Sequence, residues 1–278
     1  MKNLTDYIAE AYKYNYNINN VPKYTSTGTD KVGKANNKTN NKTNNKTNYT
    51  VQPKDTNELI KIIIDTFNHK QYDLNFIDTS KITDMSWLFE YTVYDFDISN
   101  WDVSNVTNMY GMFYHSKKFD CDLSDWDVSN VKDMGNMFVK CDNFNADLSG
   151  WNVSNVTNMS GMFDGCLNWT GKGIENWDVS NVTDMSYMFN GCENFNCDLS
   201  GWDVSNVTNM RDMFSECKRL ECDLSSWNVS NVTYMTSMFD GCKNFNCDLS
   251  NWDISNVENM REMFKRCKRR IIHDWYKN

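Results

Sequence analysis

One phrase, written over and over, limits what this chain can become. Tryptophan recurs at residues 101, 126, 151, 177, 202, 227 and 252, in steps of 25, 25, 26, 25, 25 and 25 residues. Around each lies nearly the same text, as in "GWDVSNVTNMRDMFSEC" at residues 201–217, and a degenerate earlier copy begins at Ile77. A unit this short cannot enclose a core of its own. Eight of them bury apolar surface only by stacking on one another.

Aligning the copies turns positions into columns. One column runs Met85, Met109, Met134, Met159, Met185, Met210, Met235, Met260; three residues on stand Leu88 and then Met112 through Met263, followed at once by Phe89 through Phe264. The M-x-x-M-F spacing predicts one turn of helix with these side chains on its inner side. Fifteen of the 16 methionines are thereby core residues. In "NFNCDLSGW" the apolar residues alternate instead, which predicts a short strand pairing in parallel with its copies. Rungs about 4.8 Å apart would give eight copies a length of about 38 Å. The expected fold is thus an α/β solenoid, each repeat a short parallel strand plus a short helical turn, with a capping helix at the N-terminal end.

Polar columns read as turn chemistry. After each Trp comes Asp102, Asp127, Asn152, Asp178, Asp203, Asn228 or Asp253, and Asn replacing Asp shows that an oxygen acceptor is needed there rather than a charge. A second acidic column, Asp97, Asp122, Asp147, Asp198, Asp223 and Asp248, admits no amide. Carboxylates about 5 Å apart repel by roughly 0.8 kcal/mol in water, so hydrogen bonds or cations between rungs must absorb the repulsion. Calcium is the weaker alternative, because the Gly-rich Asp pattern of calcium-binding solenoids is missing. The ten cysteines fall in two columns. Only the C-x4-C pairs 192/197, 217/222 and 242/247 are complete, and Ser116 and Ala146 stand in for missing members, so small buried thiols are expected rather than disulfides. No C-x2-C occurs and the three histidines are scattered, which disfavours zinc. No cofactor, metal site or catalytic residue is expected. The one irregular stretch, residues 167–176 with Trp169, lacks a nucleophile with its base.

Around the repeats the chain divides by composition. Residues 1–20 carry a short amphipathic pattern over 4–14, and 21–50 collapse into "NNKT" repeats that read as a flexible linker. Residues 51–76 hold the capping helix, with Asp55 or Thr56 as its cap, the repeats run over 77–267, and 268–278 form a basic cap. Residues 51–260 carry 13 basic and 32 acidic side chains, a balance of -19 that repels phosphate and argues against nucleic acid. No leader-like or membrane-spanning apolar run is seen, so the default compartment is the cytosol and the thiols stay reduced.

The text "DLSGWDVSNVTNMRDMFSEC", together with "DLNFIDTSKITDMSWLF" before the first full copy, resembles the 25-residue repeat of the BspA-like leucine-rich-repeat surface proteins. That resemblance implies a leucine-rich-repeat-like solenoid, displayed on a cell surface and used for protein binding or adhesion, with no catalytic residues to carry over. The expected function is a non-catalytic interaction scaffold with a protein partner. A calcium-stabilised or purely structural assembly protein is the alternative, and an enzyme comes last. Specificity should lie where the repeat varies: between the methionines at Tyr110, Ser186, Tyr187, Arg211, Asp212, Arg261 and Glu262, and beyond the second cysteine column at Lys218, Arg219, Lys268 and Arg269.

Overall fold

The computed structural model describes residues 50–267 and 275–276. The amphipathic stretch 4–14, the "NNKT" segment up to residue 49, Ile271, Ile272, Lys268 and Arg269 lie outside the described residues. Among the described residues there is one α-helix, α1 (Thr56–Asn68), and no β-strand. The expected α/β solenoid of strand-plus-helix repeats is therefore incorrect. Each repeat is instead a coil made of turns, joined to the next by a single-residue parallel bridge: Asp84 to Asn108, Asn108 to Asp133, and onward to Tyr234 and Asn259.

The M-x-x-M-F segment misled the helical reading because of one backbone detail. From Met109 to Ser116 the N–H groups of Met109, Gly111, Phe113 and His115 donate to carbonyls of the following coil at 2.7–2.9 Å, whereas those of Met112, Tyr114 and Ser116 turn back three residues at 2.9–3.1 Å. Every second bond therefore leaves the coil, which a helix does not permit. The alternation requires left-handed backbone at the second residue after the first Met and the second after Phe, as at Gly111 (φ 63) and His115 (φ 59). We call this stretch the winding.

The predicted strand fails for a different reason. Around Leu123 and its equivalents, neighbouring coils are tied chiefly by side chains: the indole N–H of each Trp in the repeating column, and of Trp275 after it, donates to the carbonyl of the Leu-column residue one coil earlier, from Trp101 on Leu74 to Trp275 on Leu249, at 2.9–3.3 Å. The same carbonyls also close the turn before Trp in their own coil, as Leu123 does for Trp126. With both lone pairs used, a strand ladder has no acceptor left there.

Inside, the phenylalanines form one file from Phe89 to Phe264, successive centroids 5.4–6.0 Å apart and nearly parallel. Beside it the thiols of Cys141, Cys166, Cys192, Cys217, Cys242 and Cys267 donate to the Phe carbonyl one coil back at 2.9–3.1 Å. Ser116 makes the same bond to Phe89, which explains why Ser replaces Cys in that column. All ten cysteines are free thiols. Trp169 takes the place held by Phe144 and Phe195, stacked 3.8 Å from Phe163.

At the N-terminal end α1 lays Leu59, Ile60, Ile63 and Phe67 over the first coil. Asp55 caps it by accepting the Glu58 N–H at 2.9 Å, and the Thr56 hydroxyl ties it to the Asp84 carbonyl at 2.7 Å. Among the described residues no helix is long and apolar enough to cross a membrane.

Candidate interaction face

Most polar side chains of the coils are consumed by holding the backbone. Each Asx after Trp accepts the N–H of the Ser two residues on at 3.0–3.2 Å, with Asn152 and Asn228 doing so as well as Asp. The all-acidic column does the same, Asp97 through Asp248 accepting from Ser99 through Ser250 at 2.9–3.0 Å. Asn105 and its equivalents to Asn256 donate their amides to the Ser carbonyl one coil earlier at 2.6–2.9 Å. A third column of such turns sits at the bridges, where Asp84, Asn108, Asp133, Asn158, Asp184 and Asn209 alternate acid with amide. Asn158 and Asn209 each donate to the Asp one coil below, at 3.0 and 3.3 Å.

These bonds shift the carboxylates. The Ser129 hydroxyl and N–H hold Asp127 below the usual carboxylate range, Ser205 does the same for Asp203, and Lys172 with Ser149 brings Asp147 down to about 2. A depressed folded pKa contributes stability above the unfolded value, about pH 4, and loses it as the carboxylate protonates. Thermal melts taken from about pH 5 downward should therefore show an unchanged midpoint to about pH 4 and a steady fall towards pH 2. A midpoint that stays level across that lower window contradicts this assignment.

The winding carries the variable side chains, and the structure sorts the expected face residues unevenly. Tyr187, Arg211 and Asp212 come together: the Arg211 guanidinium carbon lies 5.4 Å from the Tyr187 ring centre, and its Nε is 3.1 Å from Asp212. Ser186 is buried, its hydroxyl bonded to Asp184 at 2.6 Å, so it belongs to a turn and not to the face. Tyr110 packs edge-on to Trp87 at 5.1 Å and accepts the Asn136 amide. Arg261 Nε stands 3.8 Å from Glu262, which Lys265 also approaches at 2.9 Å. Lys218 pairs with Glu193 beyond the Cys column, with Arg219 exposed beside it.

A family model described as "Mycoplasma protein of unknown function, DUF285" matches residues 58–172 and again residues 157–275. The chain belongs to that family. The two tandem matches run from α1 through the coils, so DUF285 is a description of the repeat itself, and it names no activity. The match does not extend to the BspA-like leucine-rich-repeat relationship. No curated protein matches the chain.

Two groups on this DUF285 winding escaped the sequence reading. At the C-terminal coils Arg266 grips Asp240 with two nitrogens at 2.9 and 2.7 Å and reaches Glu216 at 2.6 Å, spanning three coils; the bond to Asp240 keeps the guanidinium more firmly protonated than usual. On the first two coils Trp87, Tyr91, Tyr110, Tyr114 and His115 form a continuous aromatic cluster, with ring centres 4.5–5.7 Å apart from one neighbour to the next. Only the glycines marked the left-handed positions in the sequence. Gly111, Gly161, Gly165, Gly191 and Gly241 all stand there, and the larger residues of the same columns project from the same backbone.

Proposed function

We propose that this chain is a non-catalytic recognition rod whose winding face binds a protein partner. What carries the reading is the division of labour among polar side chains. Three Asx columns and the Asn staples are tied to backbone groups in nearly every coil, whereas the winding changes from aromatic to small to charged residues along the stack. A scaffold held by its repeated letters leaves its varying letters for recognition. The acidic balance of residues 51–260 supports a protein rather than a nucleic acid as partner. Adhesion or display at a cell surface is one setting for such a rod.

The test compares two surfaces on the same stack. One variant carries Tyr187→Ser, Arg211→Ser and Arg261→Ser on the winding; the other carries Lys172→Ser, Arg219→Ser and Lys243→Ser beyond the Cys column. Partners are captured from a cell extract by the wild-type chain and re-measured against both variants at matched thermal stability. Affinity should drop about tenfold or more for the winding variant alone. Retained binding by the winding variant, with loss in the other, overturns the assignment.

A further inference from the structure

Among the described residues the aromatic cluster has no counterpart elsewhere on the winding. Among the described residues, few large hydrophobic side chains stand exposed, and one of them, Tyr91 at 49%, belongs to this cluster. Trp87 lies flat over Gly111, where a Cβ would come within 2.5 Å of the ring, so its position is held from below. Tyr110 likewise lies against Gly135. The rings are therefore set before any ligand arrives, which lowers the ordering entropy of binding.

What such a surface takes is indicated by the same two columns further along. Trp87 and Tyr110 occupy the positions that Tyr187 and Arg211 occupy four coils later, where a guanidinium sits over the ring. On the first two coils the cation is replaced by a second ring, and the same substitution of ring for partner joins Tyr91 to Tyr114. Glu90 and Asp164 act on Tyr114 from nearby, and burial with these neighbours raises its phenol pKa. Lys140 and Lys117 lie near His115 at one end of the cluster, where Lys117 is paired with Asp142 at 3.5 Å. The rod behind carries -19 over residues 51–260. Resting on the recognition-face reading above, we propose that this cluster docks an arginine side chain of a basic polypeptide segment. The guanidinium would lie over Tyr91 or Trp87 with the acidic body steering its approach.

Isothermal titration with a hexa-arginine peptide, its hexa-lysine analogue and neutral hexa-citrulline tests the chemistry. A neutral glucan oligosaccharide serves as the rival occupant. The wild-type chain should bind hexa-arginine more tightly than hexa-lysine and leave citrulline and glucan unbound. Tyr91→Ser with Tyr114→Ser should weaken arginine binding about tenfold, while Tyr234→Ser, an exposed tyrosine elsewhere, should leave it unchanged. Citrulline binding as well as arginine, or glucan binding at the tyrosines, overturns the proposal. So does unaltered arginine binding in the double variant. If that binding is lost in the Tyr187, Arg211, Arg261 variant, or changes in neither, the cluster assignment falls, while the recognition face is decided separately by the partner-capture comparison above.

Discussion

Alanine at Phe189 is expected to destabilise the chain by about 3–5 kcal/mol, the range for removing a fully buried aromatic ring. Phe189 is fully buried, stacks on Phe163 and Phe214 at 6.0 and 5.5 Å, and presents its carbonyl to the Cys217 thiol. A gap at this point interrupts the file of rings in the middle, so the two halves lose their shared interface as well as the ring. Denaturant melts should then broaden or split, because coupling between neighbours is what makes a stack unfold as one. Phe264→Ala, at the half-buried end, provides the contrast and should lose less than half as much. Equal losses at both positions would show that the file is not what couples the coils.

Alkali should be the more damaging direction of pH. Burial pushes the Cys222 thiol up to about 12 and the Cys247 thiol to about 11, and Cys166, Cys217 and Cys242 rise well above the ordinary value of 9. A thiol held neutral in the folded chain but free to ionise in the unfolded one contributes stability that is complete below about pH 9 and is lost as pH climbs towards the folded pKa. For Cys222 alone the loss reaches roughly 2–3 kcal/mol by about pH 11, at about 1.4 kcal/mol per unit. The tyrosines raised by burial, Tyr114 and Tyr187, join only above their ordinary value of 10, so the first unit above pH 9 belongs to the thiols. Melting midpoints at about pH 8, 9, 10 and 11 should fall from the second point onward, less steeply in Cys222→Ser. A serine variant with an undiminished slope would remove that thiol from the account.

Much of the interior was readable because burial is a property of columns. Met109, Met112, Phe113 and Trp126 repeat at one spacing, and no arrangement of stacked units keeps them wet. The Asx turns were readable too, since Asn152 standing where Asp127 stands shows what the position requires. Local conformation was not. Spacings of three and four suit a helix, but they also suit a winding in which every fourth residue is left-handed, and hydrophobic periodicity does not contain the sign of φ. The strand reading failed on hydrogen bonds that a sequence does not display, the indole N–H of Trp151 taking up the Leu123 carbonyl. On the winding, Tyr110, Tyr187, Arg211 and Asp212 stand out in the sequence because they vary. Trp87 and Tyr91 were overlooked because they belong to the first copy, whose departures from the consensus looked like decay.

The bridge column has a property that belongs to pairs of coils. Asp84, Asn108, Asp133, Asn158, Asp184 and Asn209 place an amide between successive carboxylates, which keeps like charges two rungs apart. Excise the coil of Asn158 and Asp133 meets Asp184 on a half-buried edge, a repulsion of about 1 to 3 kcal/mol depending on the local dielectric. Excise two adjacent coils and the order survives. The position of the cut decides the outcome: excise the coil of Asp133 and Asn108 meets Asn158, two amides with no charge to repel. Removal of a coil is therefore costly at this column only where the lost residue is an amide standing between two carboxylates.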